Sequence, residues 1–272
     1  MGDHIGRVDL GDEGFLAYEE RGRGRPLVFL HAGGMNRAMW NEQFTRFARD
    51  HRVVRYDARG SGDSSNPPTQ PGRYSHHEDL KKLLDALGLE HPVLVGCSFG
   101  SRVFLDFAIA HPGRAAGLFL SSAGISGMEF RDPYIVALQA EMDAAAHAGD
   151  GARVLECLLR MWVDGPHRQP ADVDPAVRKF CRDMVVENYV KGHGAPDLGV
   201  ELGAIRRVTE IRDRALVVTG DLDSTDIFAV ADLVDHKAPH VRRARMPGAA
   251  HMVSLEQPAR FDRLLREFLH TC

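Results

Sequence analysis

Cysteine is scarce in this 272-residue chain, and the four present, Cys97, Cys157, Cys181 and Cys272, share no C-x-x-C spacing and no clustered histidines. That excludes a zinc ribbon and a dithiol redox pair, and leaves reduced thiols in a cytoplasm as the expectation. Charge of one sign is also lacking: the formal net charge is -4 and the basic residues are scattered. No footprint for nucleic acid or a membrane surface stands out. No apolar run approaches the roughly 18 residues of a membrane helix. The opening Met1-Gly2-Asp3-His4-Ile5 has neither the basic nor the apolar block of an export signal. A cytoplasmic protein, monomer or homodimer, with a small-molecule partner is expected.

What is present is a globular composition, 44% apolar and 26% charged, long enough to bury a sizeable interior. Strand-like runs at 27–30, 52–56, 93–95, 118–121, 216–219 and, less purely, 241–246 alternate with helix-like segments. Between 77 and 87, Leu80, Leu83, Leu84 and Leu87 fall on one helical face. Strands alternating with helices predict a parallel sheet covered on both faces. Segments 4–10 and 14–20 could add antiparallel edge strands.

The alternation stops between 126 and 211, where amphipathic helices are predicted at 133–147, 152–163, 175–191 and, shorter, 198–206. Pro133 and Pro175 each follow an aspartate, the N-cap and N1-proline pairing that starts a helix. A single crossover needs only about a dozen residues, so the segment reads as an inserted helical lid. The expected organisation is a core of 1–125 and 212–272 with a lid of 126–211.

The chemistry centres on Gly96-Cys97-Ser98-Phe99-Gly100, which follows the apolar run 93–95 and precedes a helix through 103–110. Such a strand-to-helix turn presents the serine hydroxyl above the sheet, and its glycines let backbone approach backbone. A serine hydroxyl needs an imidazole to take its proton and a third group to hold that imidazole. Acidic residues follow the run 216–219 in Gly220-Asp221-Leu222-Asp223, at the strand end where open α/β sheets form their sites. Pro247-Gly248-Ala249-Ala250-His251 follows the last strand. The order is serine, acid, histidine.

With His31-Ala32-Gly33-Gly34 and Tyr56-Asp57-Ala58-Arg59-Gly60-Ser61-Gly62, these motifs make the chain resemble the α/β-hydrolase superfamily over about 15–269. The resemblance implies a doubly wound, mostly parallel sheet of about eight strands with an inserted helical lid. It implies Ser98 as nucleophile, His251 as base and Asp223 as acid. Asp223 is chosen over Asp221 and Asp226 because the acid of relatives stands three residues after the glycine, although neighbouring acids can substitute. The oxyanion donors it implies are the amides of Phe99 and Gly33, with Gly34 as an alternative because His-Ala-Gly-Gly departs from the commoner His-Gly. Neither metal nor organic cofactor is implied.

Other chemically tempting residues have quieter readings. Cys97 is a small packing residue, His31 a structural histidine of the oxyanion loop, and His76 and His77 are solvent-facing or capping. Asp57 and Arg59 brace a turn. Met128, Phe130, Tyr134, Met142, Met161, Trp162, Phe180, Met184 and Tyr189 are mostly lid core, a subset facing the cleft; Gly34, Trp162, Met161, Tyr134 and Met252 are the substrate-binding candidates. Serine at 98 argues against the dehalogenase and epoxide hydrolase branches, whose nucleophile is aspartate; Ser101 stands where relatives often have glycine. The chain is similar to enol-lactonases, C–C hydrolases of aromatic breakdown and carboxylesterases. A carboxylic ester or lactone of a fairly apolar molecule is the first expectation and C–C hydrolysis the second. A biosynthetic enzyme, lyase or small-molecule receptor on the same fold are the alternatives.

Overall fold

A computed structural model describes residues 4–11, 14–194 and 197–272; the readings made above on Met1, Gly2, Asp3 and on 195–196 within the inserted segment lie outside them. Eight strands form one sheet: β1 (His4–Asp9), β2 (Phe15–Arg21), β3 (Pro26–Leu30), β4 (Arg52–Tyr56), β5 (Val93–Cys97), β6 (Gly117–Ser121), β7 (Ala215–Gly220) and β8 (Val241–Met246). Their order is β1-β2-β4-β3-β5-β6-β7-β8. β2 pairs antiparallel with β1 and β4, and every other pairing is parallel.

Side-chain alternation sorts the central strands onto two faces. Val28, Leu30, Leu94, Leu118, Leu120 and Val217 meet one apolar layer, with helices α2 (His76–Ala86), α3 (Phe99–Ala110) and α7 (Thr225–Lys237). Leu27, Phe29, Val93, Val95, Phe119 and Val218 meet the other, with α1 (Asn41–Phe47) and α9 (Pro258–Leu269). Burial on both faces explains the near-continuous apolar runs of β3, β5 and β6. β8 is an edge strand and carries Arg242, Arg243 and Arg245.

Between β6 and β7 lie α4 (Pro133–His147), α5 (Gly151–Leu159), a π-turn over Arg160–Asp164 and α6 (Pro175–Val190); α8 (Val253–Glu256) follows the histidine loop. Asp132, Asp150 and Asp174 cap the three long helices by accepting from the amides of Tyr134, Arg153 and Ala176. The helix expected at 198–206 shrinks to one 3-10 turn, Ala204–Arg206. Its backbone is satisfied from elsewhere: the Val200 amide donates to the Tyr74 carbonyl, that of Leu202 to Asp106 and that of Ala204 to Ser126, and Gly203 sits at φ +66. No helix among the described residues is long and apolar enough to cross a membrane.

Candidate active site

β5 ends at Cys97 and α3 begins at Phe99, so Ser98 alone makes the turn, at φ 52 and ψ -106. A non-glycine residue there is strained by about 1–3 kcal/mol. Its neighbours hold it: the Ser98 amide donates to Ser121 O at 2.9 Å, and Ser98 O accepts from the amides of Arg102 at 3.0 Å and Gly124 at 3.2 Å. The flanking glycines are steric requirements. A β-carbon on Gly96 would stand 2.7 Å from the backbone of Gly100 and Ser101, and one on Gly100 would stand 2.4 Å from Leu30 O.

The β7 and β8 loops close on each other just as tightly. A β-carbon on Gly220 would meet the carbonyls of Ala249 and Ala250 at 2.2 Å, and the Leu222 amide donates to Ala249 O at 3.0 Å. This contact delivers Asp223 to His251: Nδ1 lies 3.1 and 3.0 Å from the two carboxylate oxygens, with both side chains almost wholly buried. A carboxylate only accepts, so Nδ1 carries the proton and the Nε2 lone pair is left free. The other two acids are engaged elsewhere. Asp221 accepts from the Gly248 amide at 2.7 Å, and Asp226 accepts from the amides of Arg131 and Asp132 at the start of α4. His251 O accepts from Ser122 Oγ at 2.7 Å and lies 3.9 Å from the thiol of Cys97, the residue beside Ser98. Among the described residues no hydrogen bond joins Ser98 Oγ to the imidazole, and such contacts are often long before substrate arrives.

Gly33 faces the elbow, since a β-carbon there would stand 3.7 Å from Phe99 Cβ. The chain turns at 32–35, where the Met35 amide donates to Ala32 O and Gly34 takes φ +74. Neither the Gly33 nor the Phe99 amide has an acceptor among the described residues, and Phe99 opens the positive end of a 12-residue helix. His31 supports this loop from beneath. Its Nε2 accepts from the Ala58 amide at 3.1 Å, so Nδ1 carries the proton and donates to Ala32 O at 2.8 Å. Complete burial pulls its pKa down, favouring the neutral ring this pattern needs.

Asp57 braces the turn as expected, accepting from the Arg37 amide at 2.6 Å, the Arg37 guanidinium and the Asp63 amide at 2.9 Å. Arg59 instead reaches α2, with Nε 2.6 Å from Asp79. The solvent-facing reading of His76 and His77 does not hold. His76 packs edge-on against the Phe99 ring at 4.9 Å and lies 3.3 Å from Asp197, because the first turn of α2 abuts that of α3. His77 is buried, which pulls its pKa down.

The inserted segment reaches the same place. The Trp162 ring lies 4.8 Å from that of His251 and 5.3 Å from Phe130, and Gly34 faces Val185 of α6. Asn188 of α6 donates to Gly34 O and Met35 O and accepts from the Gly62 amide. Met161 and Met252 are fully buried, whereas the Tyr134 hydroxyl is engaged with Arg160 and Tyr189 stands open on the surface. Sequence reasoning missed Ser122, Asn188, Arg168 and Glu256, whose partners lie far along the chain.

The sheet order, the serine turn and the acid–imidazole pair define a class of protein rather than a single activity. The family profile described as alpha/beta hydrolase fold matches residues 25–258, and the chain belongs to that family. It is 35% identical over 97% of its length, and 98% of the relative's, to a Caulobacter vibrioides protein provisionally named a carbamate hydrolase. It is 25% identical to the 2-hydroxy-6-oxononadienedioate/2-hydroxy-6-oxononatrienedioate hydrolase of Paraburkholderia phymatum, covering 98% of this chain and 94% of that one. Among solved structures, an esterase from Thermogutta terrifontis superposes with a TM-score of 0.80 at 22% identity, covering 98% of both chains.

Proposed function

We propose that this protein is a serine hydrolase that cleaves a carboxylic ester or lactone of a fairly apolar small molecule through an acyl-enzyme on Ser98. The observation that carries the reading is the sealed Asp223–His251 pair, whose tautomer leaves Nε2 as a base, beyond the same carboxyl ends of the parallel strands as the strained serine of the β5–α3 turn. His251 takes the Ser98 proton as Oγ adds to the substrate carbonyl. The developing oxyanion is met by the Phe99 and Gly33 amides, each worth about 3 kcal/mol in the transition state. His251 then protonates the departing alkoxide; in deacylation it takes a proton from the water whose oxygen attacks the acyl carbon, and returns that proton to Ser98 Oγ as the Oγ–acyl bond breaks and the acid leaves. Asp223 holds the ring and stabilises the imidazolium. Trp162, tilted against the His251 ring, and Phe130, tilted in turn against Trp162, supply the apolar wall, and helices α4 to α6 act as the lid.

A second reading, hydrolysis of a carbamate C–N bond, is favoured by the 35% identical Caulobacter relative. The same triad serves both, with the nitrogen leaving group protonated by His251. Purified protein offered p-nitrophenyl esters, lactones, carbamates and vinylogous diketones is expected to turn over esters or lactones with the highest kcat/KM and to lose activity in Ser98→Ala. Turnover of carbamates alone would replace the first reading by the second. Full activity in Ser98→Ala would overturn both.

A further inference from the structure

The loop carrying His251 is gripped from above by a part of the chain far away in sequence. Glu256 Oε1 accepts from the Ala250 amide at 3.0 Å, and its Oε2 accepts from Arg168 Nη1 at 2.6 Å. The rest of the Arg168 fork turns the other way: Nε donates to Asp164 O and Nη2 to Val163 O, both at 2.8 Å. Those carbonyls belong to the end of the π-turn, where helical bonding leaves acceptors unsatisfied, and the same turn carries Trp162 onto the His251 ring at 4.8 Å. Arg168 and Glu256 side chains are 11% and 8% exposed, so the pair is shielded from the solvent screening that weakens surface ion pairs.

Two further contacts show that this is a built junction. Gly165, at φ +78, is so close that a β-carbon would stand 3.0 Å from Ala250 Cβ and 3.0 Å from Leu222 O. Ala250 precedes His251 and Leu222 precedes Asp223. On the far side, the buried Asp164 carboxylate is held by Arg178 of α6 at 3.0 Å, and Arg178 also reaches Glu156 of α5 at 2.8 Å.

We infer that Arg168 and Glu256 are positioning residues whose ion pair couples the π-turn of the inserted segment to the histidine loop, so that Trp162 and His251 keep their mutual placement only while the pair is intact. The inference rests on the function proposed above for His251 as the base, but the coupling itself is a statement about geometry. Arginine suits the task because its planar fork serves a carboxylate and two carbonyls at once, which a lysine ammonium on one point cannot.

Three variants test it: Arg168→Ala, Arg168→Lys and Glu256→Gln, the last isosteric and still able to accept from the Ala250 amide. The first readout needs no substrate. An imidazole packed on an indole alters its emission, so the part of the Trp162 signal, native minus Trp162→Phe, that changes in His251→Leu reports the Trp162–His251 placement. The expected result is that Arg168→Ala and Glu256→Gln each lose half or more of that component, and that Arg168→Lys recovers it only partly. The second readout is turnover of the best ester: kcat is expected to fall by about 10- to 100-fold, with KM within about threefold, as for a displaced catalytic group. A double variant no worse than the worse single one would show that the two act as one unit. An unchanged Trp162 component in folded Glu256→Gln would overturn the coupling whatever the activity. Absent turnover by the native chain, with the fluorescence losses as expected, would overturn the proposed function and leave the coupling standing.

Discussion

Asp223 presents both carboxylate oxygens to His251 Nδ1, at 3.1 and 3.0 Å, in a spot closed to solvent. An asparagine there would keep the shape but remove the charge and offer a donor where only acceptors now stand, favouring the wrong tautomer. Asp223→Asn is therefore expected to lower kcat by about 10³- to 10⁴-fold, with little change in KM or in the far-ultraviolet dichroism. Steady-state kinetics check this, and retention of most of kcat would move the acid to another residue.

Ser98 holds a backbone conformation that side chains rarely adopt. Glycine relieves the strain, whereas alanine keeps it, so Ser98→Gly should be more stable than Ser98→Ala by about 1 kcal/mol although both are inactive. Thermal melts of the two variants, compared directly, decide it. Equal melting temperatures would mean that φ 52 carries no cost.

The glycines of the chain are not equivalent. Alanine at Gly100 or Gly220 drives a β-carbon into backbone carbonyls at 2.4 or 2.2 Å, which rigid main chain cannot yield, and is expected to cost about 3 kcal/mol or more. Gly149 has the same left-handed conformation as many turns but open space around it, so Gly149→Ala should cost only about 1 kcal/mol. Urea denaturation of the three variants should separate them in that order.

Burial pushes the thiols of Cys97 and Cys181 up to about 12. Raised values mean that the folded state holds protons the unfolded state releases. Their contribution is thus fully present below an unfolded value of about 8.5 and is lost as pH climbs toward the folded value, by up to about 1.4 kcal/mol per pH unit for each thiol. Urea midpoints measured from pH 7 to 10.5 should fall less steeply in Cys97→Ala than in the native chain. The same burial predicts that iodoacetamide at pH 8 labels the half-buried Cys272 well before Cys97 in the folded protein, read by peptide mass spectrometry.

Local signals in the sequence are the ones that carried through. Asp132-Pro133 and Asp174-Pro175 announce the starts of α4 and α6 because cap and first turn are adjacent in the chain. The runs of β3, β5 and β6 are legible because burial on both faces favours apolar residues along almost the whole strand. The segment 198–206 was not, because Tyr74, Asp106 and Ser126 take its amides from a distance. The His76 packing on Phe99 was equally hidden, since it depends on how α2 meets α3. At the candidate site, Ser98, Asp223 and His251 each follow a strand and could be named in order. The Arg168–Glu256 bridge spans 88 residues of sequence, and no spacing rule connects an arginine in a loop to a glutamate on α8.

The pairing of Leu118 in β6 with Ala215 in β7 has a consequence for how the molecule comes into being. The chain must pass through α4, α5 and α6 before β7 can dock, and the loops after β7 and β8 carry Asp223 and His251. During synthesis the amino-terminal strands can begin to collapse as they emerge, yet a parallel partner so remote in sequence is closed late. Ser98 can therefore take up its turn before Asp223 and His251 arrive, and the candidate site is assembled only when about the last fifth of the chain has joined the sheet.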